Sequence, residues 1–384
     1  MSAETSIAAP AAAPPQPASQ LRAEFRKRLA GQPREFVLDV SFEASPRFTI
    51  LFGASGAGKT TLLDCIAGLS TPDSGRISTS TRALFDSSHG INVPVARRHI
   101  GYVLQDLALF PHMTVAQNVA FGLSHLPHSI QNERTTKILQ SFRIPHLTNR
   151  RAREISGGEA QRVALARTLV TDPEILLLDE PLAALDAPTK SQIIDDLRAW
   201  NRIHGIPILY ITHSREEVFA LGERVIILDA GRIVAQGTPH EVMMAPMQET
   251  VAQLVGFENV FDAEVQAVRP ERGTMTCRIA CEGGAVFLET PLVRGGAGSP
   301  LRIGIRAGDI LLATSPPIGL SARNVIPGLI DSLVQRDVIV SARVKCRISM
   351  EVHLTLAARD SLDLTPGKEV WLVIKTHSCH LMRS

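Results

Sequence analysis

The first residues that could do chemistry form a glycine-rich segment between an apolar run and a helical run. The segment reads Gly53-Ala-Ser-Gly-Ala-Gly-Lys-Thr60 and matches the pattern G-x-x-x-x-G-K-[ST]. Its glycines let backbone N–H groups point at phosphate oxygens, and the N-terminus of the following helix adds a positive dipole. We expect Lys59 to reach the β- and γ-phosphates of a nucleotide, and Thr60 to coordinate Mg²⁺. The residues expected around the phosphates are Gly53, Ala54, Ser55, Gly56, Ala57, Gly58, Lys59, Thr60 and Thr61.

Two adjacent carboxylates, Asp179 and Glu180, follow the apolar run Ile175–Leu178. Adjacent acids at the end of a buried strand are costly unless they face a cation or water. With the glycine-rich loop upstream, we expect Asp179 to hold Mg²⁺ through water and Glu180 to polarise the attacking water as a general base. The alternative is a pair of acids that only caps a buried strand.

The segment 155–162, ISGGEAQR, lies between these two motifs and leads into an amphipathic helical run. A helix N-terminus with a glycine-rich backbone is an anion site. The S-G-G and Q-R letters resemble the signature motif of ABC ATPases. That resemblance implies that Ser156, Gly157 and Gly158 bind ATP. The chain has Ile155 and Glu159 where family members more often have Leu and Gln, and the Glu variant is familiar among molybdate-importer ATPases.

Further family elements follow in the expected order along residues 21–245. Gln105 resembles the glutamine that senses Mg²⁺ and the attacking water, and Asp186 resembles the acidic residue of the D-loop. His213 follows the apolar run Ile208–Ile211 and resembles the switch histidine that contacts the γ-phosphate; a lone histidine after a strand is more often structural. Phe25 and Phe36 are both candidates for the aromatic residue that stacks on adenine, and the sequence does not choose between them.

Composition sets wider limits on function. The 384 residues carry 40 Lys and Arg against 38 Asp and Glu, and this balance gives no basic field that would attract nucleic acid. The five cysteines form no metal-binding pattern, so we assign them ordinary apolar roles. No apolar run reaches the roughly 18–20 residues that a membrane-spanning helix needs. The Ala/Pro-rich residues 1–20 are interpreted as a disordered tail.

Apolar β-type runs that alternate with helical runs predict an α/β fold over residues 21–245. The resemblance identifies this region as a P-loop ABC cassette whose helical subdomain covers about 106–165. Residues 246–258 are interpreted as a linker. Short alternating segments in 259–384 predict a small all-β region, and residues from about 320 resemble an OB-like, Mop/TOBE-type module.

The resemblance also implies an assembly. ABC cassettes form head-to-tail homodimers that bind two ATP molecules between the partners, and they drive integral membrane permease subunits. In an importer, a periplasmic or extracellular protein delivers the substrate. We therefore expect a peripheral protein at the cytoplasmic face of the inner membrane. The alternatives are a non-transport ABC ATPase, an exporter ATPase and an oxyanion-storage protein.

The C-terminal region bears on the substrate. Its segments beginning at Ser321 and Leu364 resemble the molybdate-binding module of molybdate-importer ATPases. A tetrahedral dianion needs hydroxyl and N–H donors with limited positive charge. The candidate oxyanion ligands are Ser321, Arg323, Lys375 and Ser378, each of which could equally be a solvated surface group. Residues 354–359 stand where the family has a more basic strand. We expect the fragment from about 320 to fold alone and to bind molybdate or tungstate; importers of sulfate, ferric iron, polyamine or sugar are the alternatives.

Overall fold

The computed structural model describes residues 20–29, 36–244, 246, 249–281, 283–293, 296–336 and 338–382. The predicted tail at 1–20, apart from Gln20, lies outside these residues. The chain divides into two compact units, 1–236 and 237–384. We call them the first unit and the second unit, and describe each by itself. None of the helices in the described ranges is long and apolar enough to cross a membrane.

A single twisted sheet forms the centre of the first unit. Its strands are β1 (Leu21–Leu29), β2 (Phe36–Ala44), β3 (Phe48–Phe52), β4 (Ser74–Thr79), β5 (Ala83–Asp86), β6 (Ile91–Asn92), β7 (Ile100–Val103), β8 (Ile175–Asp179), β9 (Ile208–Ile211), β10 (Arg224–Asp229) and β11 (Arg232–Gly237). The order across the sheet is β6-β5-β4-β1-β2-β11-β10-β3-β9-β8-β7. The neighbours β10, β3, β9, β8 and β7 are parallel. Every residue of β3, β8 and β9 is buried, which explains their continuous apolar sequences.

Helices cover and extend this sheet. They are α1 (Lys59–Ala67), α2 (Val115–Ala120), α3 (His128–Ser141), α4 (Gly157–Leu169), α5 (Ala187–His204) and α6 (Arg215–Leu221). Three of them, α2 to α4, lie in the chain between β7 and β8, and they pack on one another through buried residues such as Val119, Leu139 and Val163. The structure therefore has the predicted α/β cassette with a helical insertion.

The second unit is a two-sheet β structure. Its elements are α7 (Glu249–Leu254), β12 (Asn259–Arg269), β13 (Thr274–Cys281), β14 (Gly284–Pro291), β15 (Pro300–Ile305), β16 (Ile310–Ala313), β17 (Asn324–Arg336), β18 (Ile339–Cys346), β19 (Ile348–Thr355), α8 (Leu356–Ser361), β20 (Glu369–Ile374) and β21 (His380–Met382). One sheet has the order β14-β13-β12-β15-β21 and the other β16-β20-β17-β18-β19. Alternating side chains of both sheets join one apolar core, as the predicted all-β region requires.

The predicted linker at 246–258, and with it the boundary at 245, is corrected by the structure. Residues 249–254 form α7, and the apolar residues Val251, Val255 and Phe257 are buried within the second unit. The guanidinium of Arg306 lies 4.5 Å from the ring centroid of Phe257 and donates a hydrogen bond to the carbonyl of Met243. Residues 249–257 are therefore packed structure that belongs to the second unit.

Residues 354–359, which stand where the family has a more basic strand, are mostly helical in this chain. Strand β19 ends at Thr355, whose hydroxyl accepts a hydrogen bond from the Ala358 amide at 3.2 Å and begins α8. Threonine is a favourable N-cap, and Leu, Ala and Arg have high helix propensity. Local capping therefore turns this segment into a helix.

Candidate functional site

The glycine-rich loop connects β3 to α1, so it lies at the carboxyl edge of the parallel strands. Gly58 has a φ of 101°, and a side chain there would come within 2.8 Å of the Phe36 ring. Only glycine combines this left-handed backbone with such a close approach. The loop therefore needs its glycine at the point where it turns into α1.

Lys59 is buried at the start of α1 and folds back over its own loop. Its ammonium group donates to the carbonyl oxygens of Gly53 and Ala54, both at 2.9 Å. Burial lowers the pKa of Lys59, and the nearby carboxylates of Glu180 and Asp179 oppose that effect. The cation is thus held where the phosphates of a nucleotide are expected.

Thr60 and Asp179 come together from α1 and the end of β8. The Thr60 hydroxyl donates to Oδ2 of Asp179 at 2.9 Å. Burial raises the pKa of Asp179, and this hydrogen bond partly offsets the rise. A hydroxyl and a carboxylate side by side are hard oxygen donors of the kind that Mg²⁺ prefers, so these residues fit the ion.

Glu180 and His213 meet at the same edge, one residue beyond β8 and two residues beyond β9. Their side chains are in contact, with 2.6 Å between Nε2 of His213 and Oε2 of Glu180. Glu180 has a φ of 47°, and its amide donates to the carbonyl of Ile211 at 3.1 Å. A positive φ at a residue other than glycine is strained and is typical of functional sites. The sequence predicted both residues, and the structure brings them together.

A cavity of about 320 Å³ lies over the loop. It is lined by Leu29, Phe36, Ser55, Gly56, Gly58, Lys59, Thr60, Thr61 and Glu180. Phe36 therefore borders the nucleotide cavity, whereas Phe25 is 2% exposed in the core. Of the two aromatic candidates, only Phe36 is placed to contact a base.

Gln105 is exposed two residues after β7. Because Val103 pairs with Leu178 in the parallel β7–β8 ladder, Gln105 lies at the same sheet edge as Asp179. Among the described residues, no hydrogen bond joins its side chain to Thr60 or Asp179. The structure thus places Gln105 at the same sheet edge as Asp179, without a hydrogen bond from its side chain to Thr60 or Asp179.

Ser156 caps the N-terminus of α4, and Glu159 completes a capping box. Oε2 of Glu159 accepts from both the amide and the hydroxyl of Ser156 at 2.8 Å, and these bonds lower the pKa of Glu159. The family departure at Glu159 therefore has a local role. Ser156, Gly157 and Gly158 do not line the cavity over the glycine-rich loop. The side chain of Asp186 caps α5 by accepting a hydrogen bond from the Thr189 amide at 3.2 Å. Asp186 does not line that cavity either.

The second unit contains a larger cavity of about 840 Å³, which we call the basic cavity. It is lined by Arg272, Gly273, Thr274, Glu289, Pro291, Ser321, Arg323, Lys375, Thr376 and His377. The structure thus brings together three of the four predicted oxyanion candidates. Ser378 lines a separate cavity of about 460 Å³, which Ser321 and Lys375 also border.

Sequence reasoning missed Arg272, Thr274 and His377 in the basic cavity. Arg272 and Thr274 lie around the β12–β13 turn, far along the chain from His377, and no local motif links them. Among the described residues, the four basic side chains of Arg272, Arg323, Lys375 and His377 make neither an ion pair nor a side-chain hydrogen bond. The one carboxylate in the lining, Glu289, is 4.0 Å from Arg269. The lining therefore contains more basic than acidic side chains.

Comparisons with known proteins agree with this architecture. The ABC transporter family model matches residues 37–183, and the TOBE domain model matches residues 320–381. The chain is 37% identical over 346 residues to a molybdenum import ATP-binding protein ModC of Paramagnetospirillum magneticum, covering 89% of this chain and 93% of that protein. It is 37% identical over 350 residues to the molybdate/tungstate import ATP-binding protein WtpC of Pyrococcus abyssi, covering 89% and 95%.

Solved structures resemble the cassette. The cbiO1 protein of Clostridium perfringens, part of the ABC transporter complex cbiONQ, is 29% identical with a TM-score of 0.52, covering 62% of this chain and 94% of that one. The ATP-binding cassette MJ0796, in a dimeric post-hydrolysis state bound to ADP and phosphate, is 26% identical with a TM-score of 0.50, covering 57% and 98%.

The fold and the nucleotide site define an ATPase of the ABC transporter class. The chain belongs to the family of ABC transporter ATP-binding subunits that includes ModC and WtpC. The predicted ATPase activity, ATP binding and two-part fold are thereby confirmed.

Proposed function

We propose that this chain hydrolyses ATP to drive the uptake of molybdate or tungstate through a membrane complex. One observation carries the proposal. Relatives named for molybdenum or molybdate/tungstate import match 89% to 93% of this chain, so the similarity extends through both units. The names belong to those proteins, and the substrate of this chain is inferred from them.

In the proposed mechanism, Lys59 exchanges its two carbonyl partners for phosphate oxygens of ATP, and Thr61 and the loop amides complete the phosphate contacts. Thr60 and Asp179 would hold Mg²⁺, with Gln105 near them in the loop after β7. The ion, when bound, would neutralise negative charge on the phosphate oxygens. Phe36 contacts the adenine.

Glu180 acts as the general base that takes a proton from the attacking water. His213 touches the Glu180 carboxylate, so it orients the base and can donate toward the γ-phosphate. The strained backbone at Glu180 directs its side chain out of the sheet edge and toward the cavity. Glu180 thereby borders the cavity in which the water must attack, and His213 acts beside it.

We further propose a head-to-tail homodimer. Ser156, Gly157 and Gly158 do not line the nucleotide cavity of their own chain, and Asp186 lies outside it as well. The Ser156 hydroxyl caps α4 at the Glu159 amide, and the remaining first-turn amides of Gly157 and Gly158 can serve a partner's ATP. Closure on ATP and reopening after hydrolysis would then supply the motion for transport.

The proposed partners are integral membrane permease subunits and a periplasmic or extracellular binding protein, with this chain at the cytoplasmic face of the inner membrane. An exposed aromatic pair supports a docking surface in the helical insertion. The rings of Phe110 and Phe121 are 4.6 Å apart, and Phe121 is 52% exposed. The guanidinium of Arg167 stacks on the ring of Phe110, which lies in the loop that follows Gln105.

For the basic cavity, we propose that it binds the transported oxyanion. Arg323 and Lys375 supply charge, and Ser321 and Thr376 of the same lining supply hydroxyl groups that can donate to an anion. Such a site would let intracellular molybdate act on the transporter.

Uptake into vesicles tests the function. Vesicles containing this chain and its permease subunits should accumulate molybdate only with the binding protein outside and ATP inside. Lys59→Ala should abolish accumulation, whereas Arg278→Gln, at an exposed position on β13, should retain it. Transport of sulfate in preference to molybdate would overturn the substrate assignment, and ATP-independent uptake would overturn the coupling.

A further inference from the structure

A buried carboxylate on α6 has no role in the mechanism described so far. Glu217 is 4% exposed and does not line the nucleotide cavity. Its Oε2 accepts hydrogen bonds from the hydroxyls of Tyr210 at 2.9 Å and Thr212 at 2.7 Å, and its Oε1 is 3.4 Å from the ammonium group of Lys190. One acid therefore joins the end of β9, α6 and α5.

The chemistry of these partners makes the arrangement persistent. Burial beside Glu217 raises the pKa of Tyr210 well above its usual value, so the phenol stays protonated and donates. Lys190 lies one turn into α5, and its amide donates to the carbonyl of Asp186 at 3.0 Å. A buried charge is costly unless it is paired and hydrogen-bonded, and Glu217 has both kinds of partner.

The two residues that flank His213 are both attached to Glu217. Thr212 bonds to the carboxylate through its hydroxyl, while Ser214 accepts a hydrogen bond from the Glu217 amide at 3.3 Å. The Ser214 amide donates to the Thr212 hydroxyl at 2.9 Å, which closes the turn around the histidine. The His213 side chain itself is 53% exposed, so packing does little to hold the imidazole. Its position depends on this turn.

We infer that Glu217 is a positioning residue that fixes the turn carrying His213 and ties it, through Lys190, to the helix capped by Asp186. The inference rests on the proposed role of His213 at Glu180. A displaced turn would move the imidazole relative to the Glu180 carboxylate. Phosphate-binding residues of the loop would not move, so turnover should suffer more than ATP binding.

Steady-state hydrolysis by the full-length chain tests this with matched threonine variants. Thr212→Val removes the hydroxyl at constant shape and should lower kcat about 10-fold to 100-fold, with little change in the KM for ATP. Thr212→Ser keeps the hydroxyl and should recover most of kcat. The control is Thr49→Val on the neighbouring strand β3, where a buried hydroxyl has no hydrogen-bond partner among the described residues; it should leave kcat unchanged.

Two further variants keep the outcome decisive. Thermal unfolding will show whether Thr212→Val folds. If it does not, Glu217→Gln replaces it as the test and should show the same loss of kcat. Unchanged kcat in the folded variants, or a loss that Thr212→Ser shares, would overturn the inference. His213→Ala separates the two proposals: if that variant loses turnover and Thr212→Val does not, only the positioning role fails. If His213→Ala keeps full turnover, the role of His213 fails and the inference fails with it.

Discussion

The nucleotide site and the basic cavity differ in how their charged side chains are held. In the nucleotide site, the charged side chains are already bonded to one another or to the backbone: Lys59 to the loop carbonyls, Thr60 to Asp179, and Glu180 to His213. In the basic cavity, the cationic side chains make no ion pair and no side-chain hydrogen bond with other described residues. The side chains of the first site are therefore held in place by the protein itself, whereas those of the second are not.

This difference follows from where the residues come from. The nucleotide residues sit at the ends of buried parallel strands, whose spacing the sheet fixes. The basic cavity is built from turns and the start of a strand, where exposed Arg and Lys side chains retain rotational freedom. Order in the first site favours catalysis, since misplacement of reacting groups is costly. Exposed charge in the second favours reversible binding that falls with ionic strength.

The strongest test of the ordered site is Glu180→Gln. The amide keeps the shape but cannot accept the proton, so kcat should fall by about 10²–10⁴-fold while ATP affinity stays close to wild type. Phosphate release and binding of a fluorescent ATP analogue measure the two effects. The control is Glu174→Gln, a partly exposed acid paired with Arg82 at 3.4 Å, which should hydrolyse normally. Near wild-type turnover in Glu180→Gln would remove the glutamate from its role.

A second test asks whether the ordered site is completed by a partner chain. Ser156→Arg places bulk and charge at the N-terminus of α4, so the homodimer should lose hydrolysis while the monomer still binds ATP. A mixture of Ser156→Arg and Lys59→Ala chains should regain activity, because their mixed dimer contains one intact composite site. No recovery on mixing, or unchanged turnover in Ser156→Arg alone, would argue against the shared site.

The basic cavity is tested by Arg323→Gln in the full-length chain. Calorimetry should show molybdate affinity reduced by about tenfold or more, since a charge-assisted contact is lost. Arg278→Gln, an exposed arginine on β13 outside the cavity, serves as the control. Equal affinity in the two variants, or sulfate bound as tightly as molybdate, would exclude this cavity as the sensor. A fragment from residue 320 is a poor substitute because it lacks β16, which pairs with β20.

The smallest expected effect concerns stability. Burial raises the folded-state pKa of Asp179 above its unfolded value, so the ionised carboxylate destabilises the protein at neutral pH. Asp179→Asn should therefore raise the free energy of unfolding without nucleotide by about 1 kcal/mol while Mg²⁺-dependent turnover is lost. The gain should be present at neutral pH and shrink as pH falls through the folded and then the unfolded pKa. Urea unfolding measures it, with the exposed Asp195→Asn as control. A less stable Asp179→Asn would contradict this account.

The sequence predicted the cassette well because its chemistry lies in contiguous motifs. The loop at 53–61 and the acids after β8 carry their own structural context, a strand before and a helix or turn after. The sequence alone could not decide between Phe25 and Phe36. They lie on the paired strands β1 and β2, and only the structure shows that Phe36 borders the loop.

The second unit was less predictable from its sequence. Arg272, Arg323 and His377 line one cavity only after the two sheets have packed, and no spacing in the sequence predicts this arrangement. Likewise, α7 and α8 are each six residues long, too short for periodicity to distinguish them from a linker or a strand. Tertiary packing forms the basic cavity, and packing and capping form the two short helices.

The pairing of β21 with β15 has a consequence for how the chain is made. Residues 380–382 join residues 302–304 at the edge of a sheet, although all of the second sheet lies between them in the chain. That edge cannot close until the last strand has left the ribosome, and the intervening loop must be brought together at an entropic cost. The first unit has all of its strands by residue 237. During synthesis the nucleotide-binding unit can thus be complete while the second unit still exposes an open sheet edge, which is the stage most prone to aggregation.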